Sequence, residues 1–233
     1  DRCSGGDGND TLIDINAAYE STASAFVDGG AGDDSLTVAV RSGDLEVAGG
    51  SGNDTISVYA SYADYATEQS VYGGDGNDSI SGAAYYGDIV VYGDAGNDTI
   101  YAESLSLVRG GDGNDFIVST GSSRIAADVY GDAGNDTIFA ASSLGGISVF
   151  GGSGNDSITS DGGAVHGDAG NDTIDAQGGF FYLSLSLFGD DGNDSISGHT
   201  DGYAYDGDVV AISGGGGNDT IVGFSVYGQT RLA

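Results

Sequence analysis

Hydrophobic and polar residues alternate along much of the chain in short bursts. Ile89-Val90-Val91-Tyr92, Ile147-Ser148-Val149-Phe150 and Leu185-Ser186-Leu187-Phe188 place apolar side chains at every second position, and each runs into a glycine-rich segment. The segment ends in an Asp, followed by an outward Ser or Thr and an inward Ile or Leu, as in Asp98-Thr99-Ile100. Period-two alternation marks strands buried on one face. Strands leading into a loop are thus expected at Ile89–Tyr92, Leu105–Val108, Ile147–Phe150, Leu185–Phe188 and Val209–Ile212. No apolar run approaches the ~20 residues that span a bilayer, so membrane insertion is not expected.

The glycine-rich segment is a repeat. G-[GD]-x-G-[ND]-D-[STF]-[IL] occurs eleven times, starting at Gly5, Gly29, Gly49, Gly73, Gly93, Gly110, Gly131, Gly151, Gly167, Gly189 and Gly214. The steps run from 16 to 25 residues. One period is a glycine-rich loop, a strand, a variable far turn and a returning strand. Such units cannot bury their apolar face alone and must stack. The expected fold is all-β: a parallel β-solenoid of about eleven coils, one domain over residues 1–233, with its loops stacked along one edge. At about 4.8 Å per coil the rod would be about 50 Å long. Length variation falls on the far edge, where the longest insertion is roughly His199–Asp208.

Charge adds a chemical requirement. The chain has 36 Asp and Glu against five Arg and no Lys, a formal net charge of −31. Five scattered Arg cannot form the basic face that nucleic acid or anionic lipid requires. With only 39% hydrophobic residues, such a charge would ordinarily mean disorder. Yet all the acids but Glu20, Glu46, Glu68 and Glu103 are Asp, the residue used where a carboxylate must sit close to the backbone and in hard-cation sites.

The loops supply that geometry. Glycines at the first and fourth positions are expected to take positive φ and gather carbonyl oxygens. The sixth-position Asp adds a carboxylate. Calcium takes six to eight oxygens, more than one short loop offers, but two stacked loops suffice. The expected metal ligands are Asp10, Asp34, Asp54, Asp78, Asp98, Asp115, Asp136, Asp156, Asp172, Asp194 and Asp219. Eleven loops leave ten gaps, and ten Ca2+ ions would bring −31 to −11. Each coil carries few apolar residues against the entropy of ordering it, so calcium is expected to supply much of the folding energy.

These residues resemble the RTX (repeats-in-toxin) family of calcium-binding β-rolls, whose nonapeptide is G-G-x-G-x-D-x-U-x. The resemblance covers nearly the whole chain and implies a calcium-loaded roll. Family nonapeptides usually run in tandem, two per coil, whereas each coil here has one motif and one irregular turn. That departure implies calcium along one edge only. Some RTX-type ice-binding adhesin domains are similar in carrying a single calcium loop per coil.

Other features bear on partners. The residue before each first glycine should face outward: Tyr72, Tyr92, Arg109, Tyr130, Phe150, His166, Phe188, Ser213 and Tyr227. This stripe is either a surface for carbohydrate, such as cell-surface glycans, or a self-stacking ladder that stiffens the sheet. Tyr59, Tyr62, Tyr65, Tyr85, Tyr86, Phe180, Phe181, Tyr182, Tyr203 and Tyr205 fall on the far edge as a second candidate contact surface. Ice binding would use third-position residues, but Asp7, Asp75, Asp112 and Asp191 stand among them and would disrupt ordered water. Nine N-x-[ST] sequons, beginning at Asn9, follow from the calcium motif itself.

No catalytic residues are expected. His166, His199 and Cys3 do not converge with other unlike residues, and the motif irregularities Asp33 and Phe116 form no cluster. Cys3 is the only cysteine and cannot form an intrachain disulfide. The absence of Lys and the abundance of Asp suit an extracellular, secreted or cell-surface setting, and the start at Asp1 suits a processed chain. The chain opens inside a loop and closes with Phe224-Ser225-Val226-Tyr227-Gly228, which elsewhere leads into one. Copies set head to tail would therefore continue the stack, with one more calcium and Cys3 at the junction. The alternative is a fragment of a longer adhesin. The expected function is thus a self-assembling calcium-binding filament, matrix or adhesin subunit, and the alternative is a calcium-dependent carbohydrate-binding module.

Overall fold

The computed structural model describes residues 2–16, 24–40, 44–60, 69–84, 89–104, 107–121, 127–142, 146–178, 185–200, 209–225 and 229–232. They form two parallel sheets. Strands that lead into the loops make a twelve-stranded sheet running from Arg2–Asp7 to Gln229–Leu232. Strands that lead out make an eleven-stranded sheet from Thr11–Asn16 to Thr220–Ser225. Each strand pairs with its equivalent one coil earlier and one coil later, so the chain is a parallel β-solenoid of eleven coils among the described residues.

Alternation decides which face is inside. Along residues 89–93 the side chains are alternately buried and half-buried, and along Thr55–Ala60 exposed and buried. The inward residues stack on their own equivalents: Val71 registers with Val91 and Ile80 with Ile100, all fully buried. The core is therefore built of stacked columns: Val27-Val47-Val71-Val91 and Ala25-Leu45-Gln69-Ile89 on the lead-in sheet face Leu36-Ile56-Ile80-Ile100 on the exit sheet. A second inward column on the exit sheet shrinks from Val38 and Val58 to Gly82, Ala102 and Ser119. The interior is thin, as the sequence implies.

Lead-in strands extend further than the apolar bursts, because the first three loop residues continue the ladder, as in Ile147–Ser153. The burst expected from Leu105 begins as a strand at Leu107, and Leu105 lies outside the described residues. The outward stripe is a ladder of stacked rings. Tyr72 and Tyr92 lie 5.0 Å apart at 4°, and Tyr130 and Phe150 4.8 Å apart at 8°. His166 sits between Phe150 and Phe188 at 5.2 and 4.5 Å. The Arg109 guanidinium lies 4.3 Å from the centre of the Tyr130 ring. Of the far-edge aromatics only Tyr59 is described, and it is exposed; Tyr227 and most of His199–Asp208 also fall outside the described residues. No helix of the described residues is long and apolar enough to cross a membrane.

Candidate metal centre

All eleven sixth-position Asp residues fall in one line along the loop edge. Nine of them, from Asp34 to Asp194, are at most 3% exposed, while Asp10 and Asp219 at the two ends are half-buried. Each carboxylate uses its two oxygens differently. Oδ1 accepts a hydrogen bond from the backbone N–H of the sixth-position Asp one coil earlier, at 2.7–3.1 Å from Asp10→Asp34 through Asp194→Asp219. Oδ2 is buried and has no hydrogen-bond partner in Asp10, Asp34, Asp54, Asp78, Asp98, Asp115, Asp136, Asp156, Asp172 and Asp194. A buried charged oxygen without a partner carries a desolvation cost of several kcal/mol, roughly, unless a cation meets it.

The second half of the cradle is backbone. A Cβ built on Gly5 would lie 2.5 Å from the Gly29 carbonyl oxygen and 2.6 Å from Asp10 Oδ2. The same pair of clashes, with the own-coil Asp Oδ2 and the next coil's first-glycine carbonyl, recurs at Gly29, Gly49, Gly73, Gly93, Gly110, Gly131, Gly151, Gly167 and Gly189. Each gap between coils thus converges a carboxylate oxygen and a carbonyl oxygen on one small volume that no side chain fills. At Gly214 only Asp219 bounds that volume, since no further loop follows among the described residues. Hard oxygens of this kind, one charged and the rest backbone, fit calcium rather than a softer ion.

Burial shapes the acidity of the column. It pushes the Asp78 and Asp172 carboxyls up to about 7, with the charges of neighbouring Asp residues adding to the effect. Asp98, Asp115 and Asp136 are pushed up to about 6 for the same reason, although the N–H bond to Oδ1 pulls the other way. Packed at coil spacing, the carboxylates therefore disfavour their own ionised form when only other carboxylates surround them.

The glycines act differently from the sequence expectation. Positive φ falls at the second and fourth positions, as at Gly30 and Gly32, while the first-position glycine is required because a Cβ would enter the oxygen cradle. Four loops place Asp in the second position with φ of 67–75°: Asp94, Asp132, Asp168 and Asp190. Asp tolerates the left-handed region better than most residues, so the G/D choice in the motif was the available signal.

The fifth-position Asn residues form a second ladder that the sequence did not reveal. Each Oδ1 accepts the N–H of the next coil's Asn at 2.7–2.9 Å from Asn53 through Asn218. At Asp33 the acceptor is a carboxylate instead, held below its usual range chiefly by the Asn53 N–H. The carboxamides are committed to neighbouring coils, which gives the regular Asn a structural reason of its own.

Comparison with known proteins agrees with this geometry. The profile of the RTX calcium-binding nonapeptide repeat matches residues 1–13, 46–60, 70–84, 90–104, 107–121, 128–142, 148–164, 165–180, 186–201 and 211–224, more than half of the chain. The largest stretch outside the matches, 14–45, holds the loop from Gly29 with Asp33 in the Asn place; there too Asp34 Oδ1 and Oδ2 keep the same arrangement. No curated protein matches the chain. With a cradle of one carboxylate and one carbonyl oxygen in each gap and the repeat profile matched from coil to coil, the chain belongs to the RTX calcium-binding nonapeptide-repeat family.

Proposed function

We propose that the chain is an extracellular structural protein, a rod that folds when calcium fills its loop edge and that stacks head to tail with copies of itself as a filament, matrix or adhesin subunit. One observation carries the reading: ten buried Asp Oδ2 atoms without partners, one for each gap between coils. Ten divalent ions, one per gap, reduce the formal charge from −31 to −11. Calcium supplies the positive charge that these oxygens lack. Without it, carboxylates about 4.8 Å apart repel along the whole edge, against a thin apolar core. Weak extracellular calcium sites work at roughly 0.1–1 mM, which suits a chain that orders only after export.

The end strands Arg2–Asp7 and Gln229–Leu232 each have one neighbour among the described residues. In the proposed filament these two strands of neighbouring copies pair with one another, and a head-to-tail contact need not close on itself. Cys3, a free and half-buried thiol on the first of these strands, would then lie at the junction.

Circular dichroism and sedimentation, with calcium and with excess chelator, test the two parts separately. A β spectrum that persists in chelator overturns calcium-driven folding. Monodisperse monomers at high protein and calcium concentration overturn the filament. The alternative, a calcium-dependent glycan-binding module, draws on the outward aromatics. The rings from Tyr130 to Phe188 cover one another's faces, however, which supports stiffening over sugar stacking. Specific, saturable binding on a glycan array would reverse that preference.

A further inference from the structure

We propose that His166, Asp168 and Asp190 form a second kind of metal site, on the outer face of the lead-in sheet, which takes a divalent transition ion such as zinc. One ligand atom from each of these residues lies within 4.8 Å of the other two. Ligands held 2.0–2.2 Å from a zinc ion stand about 3–4 Å apart, so modest side-chain rotation closes the set. The donors differ in kind from the calcium cradles. An imidazole nitrogen is a borderline ligand that suits zinc and its neighbours, whereas calcium selects oxygen alone.

The ring is held in place for the role. Stacked at 11° to both Phe150 and Phe188, it presents Nδ1 to Asp190 Oδ2 at 2.9 Å. The Asp residues come from second loop positions, which are glycine in seven of the eleven loops. Only here do two such Asp residues occupy adjacent coils, and only here does a histidine stand over them.

The protein contains its own control. Arg109 occupies the equivalent ladder place and reaches the second-position Asp132 of the next coil at 2.6 Å, as His166 reaches Asp190. There the contact is an ion pair and no more, because a guanidinium has no lone pair to give a metal. Its own coil also has Gly111 where the His166 coil has Asp168. The His166 coil thus differs at both the places that a metal site needs. Its ligands are partly open to solvent, with His166 and Asp190 side chains 29% and 40% exposed, so an ion can enter without unfolding.

The full chain, saturated with calcium, is titrated with zinc by calorimetry and with cobalt(II) by visible absorption. One equivalent of zinc is expected to bind above the calcium complement, and cobalt is expected to give ligand-field bands. His166→Phe keeps a ring in the stack and removes the nitrogen. It should lower zinc affinity by at least about 10-fold and abolish the cobalt bands, with the calcium titration unchanged. Asp132→Asn, at the position beside Arg109, should leave zinc binding as it is. Zinc that binds wild type and His166→Phe alike, zinc that enters only by displacing calcium, or no binding at all would overturn the proposal and show His166–Asp190 to be a hydrogen-bonded pair alone. Calcium-dependent folding is read in the same samples by circular dichroism, so failure of the zinc site is distinguishable from failure of the calcium reading.

Discussion

Replacing Asp136 by asparagine separates the two jobs of the column carboxylate. The carboxamide oxygen still accepts the Asp115 N–H, bonded at 2.8 Å in the parent, but Oδ2 becomes an amide NH2 facing the Gly151 carbonyl. The negative charge and one calcium ligand are lost together. At calcium 100-fold above its dissociation constant, one bound ion contributes about 2.7 kcal/mol, which the variant forfeits. For a chain of this size that term alone corresponds to about 5–10 °C in melting midpoint.

Without calcium the sign reverses. Burial, reinforced by the Asp156 and Asp132 charges, holds the Asp136 carboxyl at about 6. A carboxyl raised in the folded state opposes folding at pH values above its folded pKa and ceases to do so below its unfolded one. At pH 7.5 this opposition is about 2 kcal/mol after allowance for screening, and asparagine removes it. Melting followed by circular dichroism in calcium, and acidification in chelator, are the assays. Set against the lost ion, that relief leaves the variant about 0.7 kcal/mol less stable in calcium, a fall of roughly 1–3 °C, while in chelator it should gain β structure at a higher pH than the parent. Calorimetry should count one ion fewer. Equal destabilisation in both conditions would refute the reasoning, because it would mean that Asp136 serves only as a backbone acceptor.

Three further outcomes are expected. Apparent calcium affinity should weaken between pH 7.5 and 5.5, because Asp78 and Asp172, at about 7, and Asp98 and Asp115, at about 6, then bind protons in competition; calorimetry at the two pH values checks this, and unchanged affinity would count against it. Gly110→Ala puts a methyl group into the cradle between Asp115 Oδ2 and the Gly131 carbonyl and should lose an ion and about 3 kcal/mol of calcium-loaded stability, whereas Gly146→Ala meets nothing within 4 Å and should melt within a degree or so of the parent. Phe150→Ser removes ring contacts to both Tyr130 and His166 and should lower stability by about 1–3 kcal/mol in urea denaturation without changing calcium stoichiometry; an equal loss on Ser148→Ala would argue against the ladder.

The repeat made most of this fold legible. Spacing alone places eleven Asp residues on one edge, and alternation assigns Val91 and Ile100 to the interior and Tyr92 to the outside. What stayed hidden depends on contacts between coils. Nothing in Gly29 itself says whether glycine is needed for backbone angle or for space, and the answer is space, because Asp34 Oδ2 and the Gly49 carbonyl stand where its Cβ would be. The regular Asn was visible, but the transfer of each N–H to a neighbour's Oδ1 follows from a stacking offset that one coil cannot show. His166 reads in the sequence only as one residue of the outward stripe; it meets Asp168 and Asp190 because Asp190 arrives from the next coil.

The unequal lengths of the coils have an evolutionary consequence. Successive column Asp residues are 16 to 25 positions apart, yet the bond that joins them stays within 2.7–3.1 Å. Register on the loop edge is therefore indifferent to how many residues a coil contains. The octapeptide GDAGNDTI recurs identically from Gly93, Gly131 and Gly167. A recombination event between any two copies removes or adds whole coils and rejoins the chain within an unchanged loop, with the apolar columns and the oxygen column still in line. Rod length in such a lineage can thus drift by integral coils without passing through an unfolded ancestor, while insertions accumulate on the opposite edge.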